Sequence, residues 1–322
     1  MVPEAGRCTL APVPQVRALV VTNMYPTPAR PALGSFVRDQ VDALRRIGGI
    51  EVEVFAFAPG GTAAYLKAAR DLRRAQRHEH FDVVHAHFGL TAWPAFAAPG
   101  GAHAVTLHGT DLVHPRSRAI TLAALPFEDL VATVSEPLAT QIPGWATRKQ
   151  RAVLPAGVDV TRFKPIPRAQ ARTQLGLDPN GPYLLFPADP ARPEKRYDRA
   201  TALAGDTPLL ALGNIDPQQV PLWVNAANAV LVPSERESYG LAVLEALACD
   251  VPVLATPMGI APEALSGIDG THCGSFDEPA WREALEPHLQ ATDPRIDGRA
   301  RAERNSTDRM AANVVAAWQS LS

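Results

Sequence analysis

Cysteine is scarce in this 322-residue chain. Cys8, Cys249 and Cys273 are widely spaced and odd in number, which speaks against a disulfide framework and against a cysteine-type zinc site. A reducing, cytoplasmic setting is the expectation. Also missing is any apolar run near the roughly 18–20 residues that a membrane helix needs. The longest, such as Ala18 to Val21 and the stretch from Ala226 to Val232 with its Asn228, stop far short. The first fifteen residues hold Pro3, Glu4, Pro12 and Pro14 where a secretory signal would have a continuous apolar core. Charge of one sign is lacking too: 31 basic against 33 acidic side chains leave a net charge of −2. No global field therefore draws the chain to nucleic acid, which is not an expected partner, and any attraction to a membrane must be local.

What is present is core-forming material. Apolar residues make up 46% of the chain and charged ones 20%, so a sizeable core is expected rather than disorder. The length suits one large or two medium domains. Val16 to Thr22 is a short β-branched run that reads as a buried strand, and the Pro-rich stretch from Asn23 to Gly34 reads as a long functional loop. Helical spacing of Val37, Val41, Leu44 and Ile47 predicts a helix from Phe36 to Ile47, stopped by Gly48 and Gly49. Glu51 to Ala58 alternates as a strand, Thr62 to Arg77 returns to helical periodicity, and Asp82 to His87, Ala104 to His108 and Leu130 to Ser135 read as further strands. The alternation pauses at Pro155-Ala-Gly-Val-Asp159 and Lys164-Pro-Ile-Pro167, then resumes with strands at Tyr183 to Ala188, Leu209 to Leu212, Ala229 to Pro233 and Val251 to Ala255. Helices are expected between them at Arg196 to Leu203, Val220 to Ala227 and Leu241 to Ala248.

Alternating order of this kind predicts an α/β chain of two Rossmann-like, doubly wound parallel sheets with a cleft between them. The expected division is 1–155, 156–305, and a final helix 306–322 that crosses back to the first domain. Ser306 or Thr307 is its expected cap, and Met310, Val314, Ala317 and Leu321 its apolar stripe.

The segment from Val232 to Thr256 carries the chemistry. A strand runs into a loop holding Glu237 and Gly240, a helix begins near Tyr239 or Gly240, and Glu245 falls in its second turn. Free backbone N–H groups at such a helix start favour phosphate, which makes those of Tyr239, Gly240 and Leu241, beside Ser238, a candidate pyrophosphate cradle. Carboxylates so close to a phosphate need a reason. One is that Glu237 and Glu245 accept hydrogen bonds from hydroxyls, on a sugar and on a ribose respectively.

In these residues the sequence closely resembles the retaining glycosyltransferases of family 4, whose GT-B fold sets two Rossmann-like domains about the site. The resemblance extends to Gly34-Ser-Phe36, Asp82 to His87, Leu107-His-Gly-Thr-Asp111, Val134-Ser135, Pro155 to Asp159, Arg162-Phe163 and Arg192-Pro-Glu-Lys195. It implies that Lys195 neutralises a donor diphosphate, that Glu245 holds the donor ribose, and that Glu237 and His108 meet the transferred sugar from opposite domains. Gly34 is then the point where the first loop approaches the phosphates. The family usually has an arginine five residues before the lysine, where this chain has Pro190, so Arg192 or Arg196 is expected to substitute. The family's Glu-Gly-Phe-Gly is here Glu237-Ser-Tyr-Gly240. Only 23 residues separate Asp111 from Ser135, so a reduced or open acceptor surface is expected.

The activity implied is transfer of a sugar from a nucleotide-diphosphate sugar to a hydroxyl of a polysaccharide, lipid-linked or small-molecule acceptor, without metal or other cofactor. The competing readings are a non-catalytic nucleotide-binding or partner-support protein of the same fold and, less favoured, an epimerase or phosphorylase. His85 and His87 share a strand face, which invites a metal. No HExxH, cysteine pair or acidic triad accompanies them. Lys67, Arg70, Arg73, Arg74 and Arg77 form a basic helical stripe, read either as a solvated face or as a peripheral contact with anionic lipid.

Overall fold

A computed structural model describes residues 16–213 and 215–321. Cys8 and the reading of the first fifteen residues as lacking a signal lie outside the described residues. Two sheets, all of whose strands pair in parallel, organise the chain. The first has the order β2-β1-β3-β4-β5-β6, with β1 at Val16–Thr22, β2 at Ile50–Ala56, β3 at Phe81–His87, β4 at Gly100–Leu107, β5 at Leu130–Thr133 and β6 at Gln150–Val153. The second has the order β11-β10-β9-β7-β8, with β7 at Leu184–Phe186, β8 at Leu209–Ala211, β9 at Ala229–Val232, β10 at Val253–Ala255 and β11 at His272–Cys273.

Parallel pairing requires crossovers that cover both sheet faces, which is why central strands read as unbroken apolar runs. Leu19, Val20 and Val21 in β1 and Val230 and Leu231 in β9 are fully buried or nearly so. The expected strand and helix positions agree with these elements to within a few residues. Strand β6 was not expected: Gln-Arg-Ala-Val is half-exposed at the sheet edge and carries no apolar run to announce it. Pairing with Leu130 to Thr133 creates it.

The chain leaves the first sheet after β6 and returns to it through the Thr307–Gln319 helix, whose start is capped by Ser306 Oγ accepting from the Arg309 N–H. Val158 and Ser306 pair side by side where the two passages meet. The buried face of this helix is Met310, Ala311, Val314, Val315 and Trp318. The expected stripe holds at Met310 and Val314 but turns toward Trp318, leaving Ala317 and Leu321 only half-buried, because steps of four residues follow the helix face that meets Val37, Val41 and Leu44 on the Ser35–Arg46 helix. Trp318 also donates its indole N–H to His85 Nδ1 at 3.0 Å.

Removing that tryptophan separates packing from polarity. Trp318→Ala should lower the free energy of unfolding by about 3–5 kcal/mol through the cavity it leaves. Trp318→Phe should cost about 1–3 kcal/mol, mainly through the orphaned His85 nitrogen. Urea denaturation measures both, and negligible losses in each variant would contradict this packing.

Candidate active site

Strand ends from both sheets face one cleft of about 710 Å³. Each contribution comes from the carboxyl end of a parallel strand, where the geometry of an open α/β sheet leaves a crevice. The loop after β1 supplies Met24, Arg30 and Gly34; β3 and β4 lead to Phe88 and His108; the second sheet supplies Pro187, Leu212, Ser234 and the residues up to Glu245.

Gly34 adopts φ +63° as the residue before the Ser35–Arg46 helix. A Cβ there would lie 2.1 Å from the Met24 carbonyl oxygen, so the folding of its own loop already demands glycine. His108 follows β4 and is wedged between Phe36 and Phe88, with ring centroids 4.9 and 4.6 Å away. Its Nε2 shares a 3.0 Å hydrogen bond with His87 Nδ1, and His87 stacks on His85. Burial lowers the pKa of His108 to about 3 and that of His85 to about 4, so both are neutral at neutral pH. His108 is therefore equipped to give or take a hydrogen bond, not to shuttle a proton. Among the described residues no cluster of ligating side chains suited to a metal is found.

Asp111 organises this corner, a role the sequence reading passed over. Its buried carboxylate accepts from the His108 N–H at 2.7 Å and the Gly89 N–H at 2.6 Å. The signal was available in His-Gly-Thr-Asp, where a carboxylate three residues on can hold the backbone of the first. Phe88 between them has φ 76°, a strained value for a side-chain-bearing residue, and its ring packs on His108.

On the opposite wall the Leu241–Ala248 helix starts after Gly240, with φ +93° and no side-chain cap. The N–H groups of Tyr239, Gly240 and Leu241 have no acceptor among the described residues. Lys195 places Nζ 2.7 and 2.6 Å from the two oxygens of Glu237, which also accepts from Ser234 Oγ at 2.7 Å. Both charged side chains are mostly buried, at 13% and 10% exposure. Glu245 faces the same cleft, and burial raises its pKa to about 7, with Arg162 opposing the shift. Arg162 in turn chelates Asp39 of the Ser35–Arg46 helix.

The expected donor-side residues therefore converge, with one exception. Arg192 lines the cleft but is held by Glu194. Arg196 is outside the cleft lining, its guanidinium spent on Asp198 and Glu235, because it adopts φ 58° ahead of the Tyr197–Ala204 helix. Ser238 bridges the halves: its carbonyl accepts from Ser135 Oγ at 2.9 Å, and its own Oγ fills the space a Gly109 Cβ would need. That Cβ would stand 2.2 Å from Ser238 Oγ.

Gly109→Ala should consequently hold the halves apart and depress activity. Adding Ser238→Gly should recover part of the loss, the remainder being the strain of alanine at φ +99°. Steady-state kinetics of the two single variants and the pair measures this coupling, and strict additivity would contradict the contact.

A family model described as Glycosyltransferase Family 4 matches residues 17–162, and one described as Glycosyl transferases group 1 matches residues 188–305. A D-inositol 3-phosphate glycosyltransferase of Actinosynnema mirum is 31% identical, over 70% of this chain and 68% of that protein. One from Mycolicibacterium gilvum is 28% identical, over 92% of this chain and 87% of its own length. Among solved structures, a sucrose-phosphate synthase from Thermosynechococcus elongatus superposes with a TM-score of 0.74 at 18% identity, covering 95% of this chain and 99% of that one. The Anabaena protein HepE, solved with UDP and glucose, superposes with a TM-score of 0.70 at 16% identity, covering 94% and 99%.

Proposed function

Because the chain belongs to glycosyltransferase family 4, and so transfers sugar from a nucleotide sugar, we propose that it is a retaining enzyme using front-face substitution, with its donor in the cleft between the two sheets. The observation that carries the placement is the coincidence, in one crevice, of acceptor-free amides at residues 239–241, the Lys195–Glu237 pair and the Glu245 carboxyl, whose pKa burial raises to about 7. A nucleoside diphosphate sugar satisfies all three. Its phosphates take the amides and Lys195, its ribose hydroxyls donate to Glu245, and Glu237, released by Lys195, is free to bind the sugar. His108 reaches the sugar from the other half as a neutral hydrogen-bonding group.

Departure of the diphosphate breaks the bond between the anomeric carbon and the phosphate oxygen, with the electron pair going to oxygen. Lys195 and the amides stabilise that negative charge in a water-poor site. The acceptor hydroxyl forms the new bond on the face the diphosphate leaves, and its proton passes to the departing phosphate oxygen. No enzymic nucleophile or metal enters the scheme. Trapping a covalent glycosyl-enzyme on a carboxylate would contradict it. The acceptor hydroxyl belongs to a polysaccharide, a lipid-linked sugar or a small molecule; the D-inositol 3-phosphate glycosyltransferases are relatives named for a small one. Of the five basic residues read as a helical stripe, Lys67, Arg70, Arg73 and Arg74 lie on the Thr62–Ala75 helix and Arg77 just past its end; all are exposed, compatible with either reading of that face, and no helix among the described residues is long and apolar enough to cross a membrane.

A panel of nucleoside diphosphates and their sugars, read by thermal stabilisation, tests the proposal. A ligand at 100 times its Kd should add about 2.7 kcal/mol of stability. Glu245→Ala should weaken nucleotide binding itself, whereas Glu237→Ala should chiefly reduce transfer. No stabilisation by any nucleotide would favour the non-catalytic scaffold.

Binding should also depend on pH through Glu245. With its pKa raised to about 7, the carboxyl is largely protonated below that pH and presents fewer lone pairs to the ribose hydroxyls. Nucleotide affinity should therefore fall as pH drops through about 7. In Glu245→Gln this component should vanish, leaving only the titration of the phosphate, and calorimetric titrations of both proteins across pH 6 to 8 (about one unit either side, where the charge changes) measure the difference. Identical pH profiles would contradict the role given to Glu245.

A further inference from the structure

The cleft has few cations left to offer a diphosphate. Lys195 is bound by Glu237 and Arg192 by Glu194, while Arg196 points away to Asp198 and Glu235. Residue 190, where the family resemblance implies a phosphate-binding arginine, is proline. Among the described residues that line the cleft, two guanidinium groups remain. Arg30 lines the cleft from the loop after β1, in the first half, and Arg236 lines it from the loop after β9, in the second. Neither side chain makes a hydrogen bond or ion pair with any described residue. Both are exposed, and neighbouring arginines show that carboxylates were within reach of this region: Arg196 and Arg199 share Glu235, the residue next to Arg236.

Position strengthens the case. Arg236 immediately precedes Glu237 and lies three residues before Tyr239, where the free amides begin. Arg30 belongs to the same loop as Gly34, whose backbone lines the cleft. A diphosphate brings at least two negative charges to this spot, more than one lysine and three amide dipoles balance when that lysine also starts from a carboxylate partner. Guanidinium groups suit the task, since their planar fork matches phosphate oxygens in a bidentate way.

We infer that Arg30 and Arg236 close on the donor diphosphate as a two-sided clamp, one arm from each half, replacing the arginine that Pro190 cannot supply. The inference rests on the functional reading above and names two binding residues beyond it.

Calorimetric binding of UDP, GDP and ADP, and of uridine, guanosine and adenosine alongside, tests the clamp on the wild type, Arg30→Gln, Arg236→Gln and the double variant. Each single change should weaken the preferred diphosphate about tenfold and the double change about a hundredfold, as loss of charge-assisted bonds predicts. Binding of the bare nucleoside should be unchanged. The salt dependence of diphosphate binding should flatten in the double variant. Arg148→Gln, an exposed arginine outside the cleft, controls for the loss of one charge and should bind like the wild type. Wild-type diphosphate affinity in the double variant would overturn the clamp, as would equal losses for nucleoside and diphosphate. Unchanged binding of the preferred diphosphate with a raised acceptor KM would overturn it too, by assigning the arginines to an anionic group on the acceptor. Failure of the wild type to bind any of the three diphosphates would instead overturn the functional reading, and the clamp with it.

Discussion

A lysine and a glutamate that are both about nine-tenths shielded from water cannot be left without partners, and the cleft is arranged around that constraint. Lys195 and Glu237 satisfy one another across two short bonds, with Ser234 completing the carboxylate. Removing either member would leave an uncompensated charge in a water-poor place, a cost of several kcal/mol in comparable sites (about 3–5). A ligand that replaces the contact must supply negative charge to the lysine and hydroxyl donors to the glutamate at once. A sugar joined to a diphosphate has that composition. On the proposed reading, the pair keeps both charges satisfied until such a molecule displaces the contact.

Everything else in the fold serves to bring the two walls to this point. Parallel pairing sends the carboxyl ends of both sheets to one crevice, and Ser238 seated on Gly109 sets how closely the walls approach. The first wall is stiffened from behind. Trp318, on the helix that returns from the second half, donates to His85; His85 stacks on His87; and His87 bonds the ring of His108. A feature far along the chain therefore fixes the orientation of a cleft residue through aromatic contacts that stay uncharged at neutral pH. Arg162 plays a matching part on the other side, joining Asp39 of the first half to the surroundings of Glu245.

Legibility in the sequence followed the physics of each feature. Strands β1 and β9 announce themselves because the centre of a strand covered on both faces must be apolar, and Gly240 followed by Leu-Ala-Val-Leu-Glu announces a helix start. Strand β6 was hidden because an edge strand takes its conformation from its neighbour, and the turn of the last helix toward Trp318 was hidden because its partner surface lies about 270 residues upstream, where periodicity has no reach. Glu237, Glu245, Lys195, Gly34 and His108 were legible as a set through their spacing and resemblance, and all five line the cleft. Which arginines are free was not legible. Arg192 and Arg196 look available in sequence, and only the placement of Glu194, Asp198 and Glu235 shows them occupied. Asp111 escaped notice for a related reason, since a carboxylate that binds backbone amides leaves no partner side chain to pair it with in the sequence.

The exchange of partners by Lys195 is the centre of this account, and a structure of the protein with a non-transferable nucleotide sugar, such as UDP-2-fluoro-glucose or its counterpart on the preferred base, observes it directly. The account predicts Lys195 Nζ within about 3 Å of a phosphate oxygen, no longer bridging both oxygens of Glu237, with Glu237 turned to the sugar and Glu245 to the ribose. A bound diphosphate beside an unbroken Lys195–Glu237 pair, or a nucleotide bound away from the cleft, would contradict it.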